Sequence, residues 1–289
     1  MSRGFKHQSI PKYSLLTAEQ IQEIHLGTLD ILETVGVRVL HEEGVQLLKD
    51  AGCWIEGKNI VHIPNWLVEE CIRSAPSRIT IYNRNGEDAM YLEGNNSYYG
   101  LGTDLIYTYD LKTGEMRPSV LADVANASRV ADYCEDIDFT ASFALPGDVP
   151  TNSMYLRCAK TMMESTVKPL FFTAAGKEDL DFILEIAEII AGGADALRKK
   201  PFLIQYSEPT PPLTHSYGAV NKVFTCAERG IPICYPPGAL IGASTPVTLA
   251  GAITQANAEA LSGVVLHQVR AKGAPIISGW AVAALDMRT

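Results

Sequence analysis

The sequence predicts an α/β protein, with strands and helices alternating over most of its length after a small α+β region. Three observations lead there. From residue 119 onward, stretches with apolar residues at helical spacing alternate with short, unbroken apolar runs of strand length. The units recur at intervals of about thirty residues, the size of a βα unit. No Gly-x-Gly-x-x-Gly loop follows any of the runs, so an open nucleotide-binding sheet is not indicated. Together these describe a (β/α)8 TIM barrel over residues 94–289, preceded by an α+β region over residues 1–93. Counting a first strand near Tyr98, six strands are predicted where a closed barrel needs eight. The barrel is therefore expected to be truncated at the C-terminal end of this chain.

Residues 1–17 read as an arm. Thr17, followed by Glu19 and Gln20, opens a helix to about Val35, with Ile21, Ile24, Leu29, Ile31 and Leu32 on its apolar face and Gly36 as its stop. A short strand (37–40), a helix (41–51), a hairpin (53–55 with 59–63) and a third helix (64–74) follow. A second hairpin, 78–83 with 89–92, turns at Asn85-Gly86. This region reads as a packing or oligomerisation module, and a homo-oligomer is expected. Thr113-Gly114 makes a tight turn. Helices at 121–134, 151–165, 178–191, 215–229 and 246–272 then alternate with strands at 138–143, 169–173, 202–207, 231–235 and 274–280.

In the last helix, Ser244 or Thr245 is the expected cap and Pro246 the first residue, where its missing N–H and fixed φ do no harm. Leu249, Ile253, Ala256, Ala260, Val264 and Val265 recur at helical spacing. Gly251 and Gly263 lie inside the helix, where a glycine costs up to about 1 kcal/mol. A close packing contact is the expected reason.

Composition narrows the function. The net charge of −9 argues against a nucleic-acid partner, which needs clustered Lys and Arg. The six cysteines are scattered, with no Cys-x-x-Cys and no Cys/His group at zinc spacing, so free thiols in a reducing cytoplasm are expected and no metal site. The N-terminus lacks the apolar core of a signal peptide, and no apolar run reaches membrane-spanning length.

A βα barrel carries its site at the C-terminal ends of its strands. Those ends hold Gly100, Thr103 and Asp104, then Phe143, Phe172 with Thr173, Tyr206 with Ser207 and Glu208, Tyr235, and Trp280. His215 falls at a helix start and His267 late in a helix, so no Ser-His-Asp or Cys-His arrangement can be placed there. Lys168 and Lys200 precede their strands, at the wrong face for a Schiff-base lyase or aldolase. Ring faces attract quaternary ammonium ions, by roughly 0.5–2 kcal/mol per contact. Tyr98, Tyr99, Phe143, Tyr206, Tyr235 and Trp280 could thus form a cage for a methylated ammonium ion, although any single ring more often simply packs. Asp104 and Glu208 are the stronger candidates, because a carboxylate there must be paired or functional. No cation is evident at these ends to meet a carboxylate on a substrate.

The stretch 242–266, GASTPVTLAGAITQANAEALSGVVL, resembles the trimethylamine methyltransferase superfamily. ETVGVRVLHEEGVQLLKDAGCWIEG near the N-terminus, the segment 94–118 and the strand-end SEPTPPL resemble it too. The resemblance implies a corrinoid-dependent methyltransferase that moves a methyl group from a methylated amine to the Co(I) corrinoid, a cobalamin, of a separate partner protein. It implies no cofactor bound by this chain itself, and no nucleophile required of it. It also implies that the barrel closes beyond residue 289, where trimethylamine-specific members carry pyrrolysine. A non-pyrrolysine member acting on a quaternary amine such as glycine betaine is the favoured expectation. A non-catalytic binding protein for quaternary ammonium compounds is the alternative.

Overall fold

The computed structural model describes residues 14–286 and 288; the arm expected for residues 1–17 lies mostly outside them. Thr17 caps α1 (Ala18–Asp30): its hydroxyl accepts from Gln20 N, and the Gln20 side chain accepts from Thr17 N. A single π turn, Ile31–Val35, extends α1 to Gly36. Gly36 has φ of 76°, and a Cβ there would lie 2.7 Å from Val61 O, so no other residue suits the stop.

β1 (Val37–Val39), α2 (Glu42–Asp50), β2 (Trp54–Glu56), β3 (Ile60–His62) and α3 (Asn65–Ser74) follow the predicted order. β1 pairs antiparallel with β3, and β3 with β2. On its other side β1 pairs in parallel with Thr214–His215, so the N-terminal elements share a sheet with the second half of the chain. The hairpin of β4 (Ile79–Tyr82) and β5 (Asp88–Leu92) lies across the N-terminal ends of later strands, with Tyr82 N donating to Pro201 O and Arg84 N to Val167 O. Its Ile79, Ile81 and Met90 pack with Ile204, Phe139 and Phe171. β6 (Tyr107–Tyr109) and β7 (Met116–Pro118) form a further hairpin around the predicted turn.

Thereafter come α4 (Leu121–Tyr133), β8 (Thr140–Ala141), α5 (Met154–Ser165), β9 (Leu170–Phe172), α6 (Lys177–Ala191), α7 (Ala194–Lys199), β10 (Leu203–Tyr206), β11 (Thr214–His215) and α8 (Tyr217–Arg229). β12 (Ile233–Cys234), β13 (Gly238–Ile241), α9 (Leu249–Arg270), β14 (Ile276–Ile277) and β15 (Ala281–Ala284) complete the sequence of elements. Five of these strands form one parallel sheet in the order β8-β9-β10-β12-β14. Spatial order follows chain order without a reversal, so the sheet has no switch point of the kind that binds nucleotides in doubly wound folds.

Several expectations are corrected. No regular strand forms near Tyr98; the chain there meets the start of the sheet through two parallel bridges, Gly100 to Phe139 and Leu105 to Ala144. The Phe139 ring lies over Gly100, and Asp104 leaves the extended region with φ of 64°, which interrupts the ladder. α9 begins at Leu249 with Thr248 as its cap, rather than at Pro246. Ser244 and Thr245 are already committed to the β13 turn, where Ser244 Oγ accepts from Leu240 N and Thr245 Oγ1 donates to Leu240 O. The pair β13–β15 and the short α7 and β11 were not predicted, being too brief to show a period.

α9 is the central helix, packed against α1, α3 and α8. Its small residues have the expected cause. A Cβ on Gly263 would lie 2.4 Å from the Tyr235 ring, and Gly27 of α1 meets Thr254 at 3.1 Å. Among the described residues no helix is long and apolar enough to cross a membrane. Gly263→Ala is expected to destabilise the fold by about 1–3 kcal/mol through overpacking. Gly27→Ala, which meets only a movable methyl group, is expected to cost less. Denaturant titration of both variants checks this, and equal losses would contradict it.

Candidate active site at the C-terminal ends of the parallel strands

The C-terminal ends of β8, β9 and β10 bring together a small polar group. Asp104 is half-buried. Ser142, just past β8, donates its hydroxyl to Asp104 Oδ1 at 3.1 Å, and the Thr173 hydroxyl, just past β9, lies 3.4 Å from the same oxygen. Burial pushes the Asp104 carboxyl above the ordinary aspartate range; the two hydroxyls pull it back, and nearby Glu208 pushes it up again. Past β10, the Tyr206 hydroxyl donates to Glu208 Oε2 at 2.8 Å. Burial and the Glu208 partner raise the Tyr206 phenol well above its ordinary range. The Tyr206 ring packs on Phe171, centroids 5.5 Å apart.

Three residues at this face, Asp104, Phe143 and Leu213, are the described non-glycine residues with positive φ: 64°, 57° and 47°. Such backbone costs of order 1–3 kcal/mol for Phe or Leu and is retained where surroundings enforce it. Leu105 N donates to Phe143 O, and Phe143 N to Gly102 O, which clamps the turn that presents Asp104. Leu213 N donates to Glu259 Oε1, which anchors the loop carrying Glu208 to α9.

The predicted shell is thus only partly assembled. Asp104, Tyr206 and Glu208 come together. Phe143 belongs to the site through its backbone, while its ring packs against the main core. Trp280 stands on the loop after β14 and is 42% exposed. Tyr98 is elsewhere: its hydroxyl bonds Tyr91 of the hairpin beneath the N-terminal strand ends, six residues of chain from Asp104. Tyr99 is exposed at the same end, its N–H donating to Asp138.

Tyr235 also leaves the cage. Side chains alternate along a strand, so Cys234 and Tyr235 take opposite faces, and Tyr235 faces the helices, fully buried against Gly263. Its hydroxyl lies 3.0 Å from His215 Nδ1, and His215 Nε2 lies 2.8 Å from Ser262 Oγ. Ser262 spends its one proton on Glu259 O at 2.9 Å. His215 must then donate from Nε2 and accept from Tyr235 at Nδ1. Burial holds this imidazole near a pKa of about 4, neutral at physiological pH. His215 sits in β11 rather than in a helix, and the Ser262–His215–Tyr235 row is a packed core feature, closed to substrate.

Lys222, Asp179 and Tyr155 were missed because they reach the site from helices. Lys222 of α8 donates to Ala174 O at 3.2 Å, one residue past Thr173. Burial pushes its ammonium below the ordinary lysine range, while Cys226, Glu208 and Asp179 oppose the shift. Burial raises Asp179 and Tyr155, and Asp104 adds to the rise at Tyr155. Three acids against one lysine leave the site net negative. The opposite face differs: a cleft of about 470 Å³ at the N-terminal strand ends is lined by Arg78, Arg198, Lys199 and Lys272 with a single acid, Glu228, so its net sign is wrong for a cationic ligand. All six cysteines are free.

Acidic groups and aromatic rings thus collect at one end of a parallel α/β sheet. The family can be stated outright. The sequence profile of the trimethylamine methyltransferase (MTTB) family matches residues 2–289, and the chain belongs to that family. The glycine betaine methyltransferase of Desulfitobacterium hafniense strain Y51 is 31% identical over 285 residues, covering 98% of this chain and 59% of that protein. The trimethylamine methyltransferase MttB of D. hafniense strain DSM 10664 / DCB-2 is 31% identical over 274 residues, covering 93% of this chain and 55% of that protein. MttB of Methanosarcina barkeri is 30% identical over 298 residues, covering 99% and 59%. The chain therefore spans less than two thirds of the length of these relatives.

Two outcomes are expected. Tyr235→Phe leaves His215 Nδ1 without its donor and costs about 1–3 kcal/mol of stability, with cation affinity unchanged; calorimetry of unfolding and of tetramethylammonium binding measures both. Asp104→Asn weakens tetramethylammonium binding by about tenfold without loss of stability at neutral pH. The sign follows from the raised pKa. The folded state keeps the Asp104 proton longer than the unfolded chain, so ionisation opposes folding as pH rises above the ordinary value of 3.8. For the same reason, cation affinity falls as pH drops through the raised pKa, and the Asn variant loses that dependence.

Proposed function

We propose that this protein binds a quaternary or tertiary methylated amine, glycine betaine-like, and presents one of its methyl groups to the Co(I) corrinoid of a cognate partner protein. The observation that carries the reading is the acidic pair Asp104 and Glu208 at the C-terminal strand ends, with Asp104 held by neutral hydroxyls. The names of the relatives, glycine betaine methyltransferase and trimethylamine methyltransferase, support the amine as methyl donor. We read the five-stranded sheet as part of a (β/α)8 barrel, a reading supported by its unreversed strand order. The N-terminal elements we read as an α+β region docked on that sheet, with β1 paired to β11, and the working protein as a cytoplasmic homo-oligomer.

The chain's residues have defined tasks. Asp104 and Glu208 supply the negative potential that draws the ammonium group in. Tyr206 donates to Glu208 and so fixes the orientation of its carboxylate, while its ring and that of Phe171 form an apolar wall. The amine leaves neutral, so its charge fades as the methyl departs. The two acids therefore favour bound substrate over released product, and act on affinity and orientation rather than on the bond-breaking step. Beyond the strand ends, Leu105, Ile106, Leu240 and Trp280 are exposed. We read these residues as the surface that a corrinoid carried by another protein would approach; the corrinoid would supply the methyl acceptor.

The test is incubation of the protein with glycine betaine and a reduced corrinoid protein, following demethylated amine and cobalt absorbance together. Stoichiometric methyl transfer is expected. Tight binding of methylated amines with no transfer would replace this reading with that of a binding protein.

A further inference from the structure

The cleft at the N-terminal strand ends has no part in the amine reading. Its cavity of about 470 Å³ carries Arg78, Arg198, Lys199 and Lys272 against one acid, Glu228. The chain as a whole has a net charge of −9, so a basic lining is not what its composition supplies. Neighbouring acids do not cancel it. Glu228 is committed to Arg270 of α9, whose Nε lies 2.6 Å from Glu228 Oε1 and which is not part of the lining. Arg78 and Lys272 have a carboxylate each, Glu93 at 3.6 Å and Glu70 at 2.8 Å. Arg198 donates only to backbone, from Nε to Arg229 O at 3.1 Å and from Nη2 to Glu228 O at 3.5 Å. No ion pair within 4.0 Å among the described residues includes Arg198 or Lys199.

The two guanidinium groups are held in place. Arg78 lies over the Tyr91 ring, 4.7 Å from its centroid. A Cβ on Gly230 would lie 2.9 Å from Arg198 Cγ, so the bare backbone at the end of α8 makes room for the Arg198 stem. A guanidinium presents its N–H groups as a planar fork that matches two oxygens of a carboxylate or phosphate. Pro76, Pro201, Pro232 and Pro275 supply further wall, with fixed φ and no N–H of their own. The cavity falls within the roughly 300–1,000 Å³ of small-molecule sites. Its cations stand on separate elements: Arg78 just before β4, Arg198 and Lys199 at the end of α7, Lys272 just after α9. One anionic group cannot answer all of them, whereas a ligand with several can bridge them.

We propose that this cleft is a second binding site, for a small molecule carrying two or more carboxylate or phosphate groups. It is independent of the amine site, whose acids would repel such a ligand. Bound there, the polyanion joins the β4–β5 hairpin to α7 and to the turn after α9, and it stabilises the fold by mass action.

Titration calorimetry and thermal melting of the whole chain with citrate and with pyrophosphate, each against acetate at equal ionic strength, test this. Saturable binding of one polyanion per chain is expected with Kd below about 1 mM, at least about tenfold tighter than acetate and with a rise in Tm. Tighter citrate marks a polycarboxylate as the ligand, tighter pyrophosphate a phosphate compound. Arg198→Gln is expected to weaken polyanion binding at least about tenfold, and it also removes a cap from α8. Lys199→Gln, which breaks no contact, is expected to weaken it about threefold with the Tm of the free protein unchanged. Tetramethylammonium affinity stays the same in both variants. No saturable binding, binding no tighter than acetate, or polyanion affinity unchanged in both variants overturns the proposal and leaves the amine site standing.

Discussion

The candidate site is organised around a carboxylate whose charge the protein supports but does not cancel. Asp104 is half-buried and its partners are the hydroxyls of Ser142 and Thr173, neutral groups on two neighbouring strand ends. Asp110 and Asp123 of the same chain are handled differently. Both bind the Arg117 guanidinium, with Arg117 Nη1 2.8 Å from Asp123 Oδ2 and Nε 3.2 Å from Asp110 Oδ2. Those acids are neutralised, and they tie β7 to the start of α4. Asp104 keeps its charge available, and burial alone would discourage it from ionising. We read a cation arriving from outside as its counterpart.

Around that carboxylate the backbone is held in unfavourable places. Asp104, Phe143 and Leu213 take positive φ, and each is locked by hydrogen bonds to its neighbours or to α9. Glu259 is fully buried on α9, with one oxygen bonded to Leu213 N and Gln255 and the other without a partner among the described residues. Burial raises its carboxyl above the ordinary range. α9 thus works as a strut. Its small residues let it lie close under Tyr235, and its polar residues reach through to the loops that carry the site.

Much of this was legible in the residues. Thr17 with Gln20, the apolar helical periods and the alternating apolar runs fixed the element order, and listing strand ends located Asp104, Tyr206 and Glu208. Tyr98 and Tyr235 were misplaced for two physical reasons. A strand end has two faces, and one residue's difference in parity turned Tyr235 towards the helices. The run near Tyr98 does not form a regular strand, since Gly100 lies under Phe139 and Asp104 breaks the extended path. Lys222 and Asp179 approach from helices, and only tertiary packing brings a helix side chain to a strand end. The α9 start was misjudged because Ser244 and Thr245 cap a turn of their own.

The most direct measurement is a crystal structure of the protein with glycine betaine bound. The account predicts the ammonium nitrogen within about 4–6 Å of the Asp104 carboxylate, the range over which opposite charges act strongly on one another, on the side of the sheet that Tyr206 faces. A ligand found in the cleft between Arg78 and Lys272 at the opposite face, or density for betaine nowhere near Asp104, would contradict it.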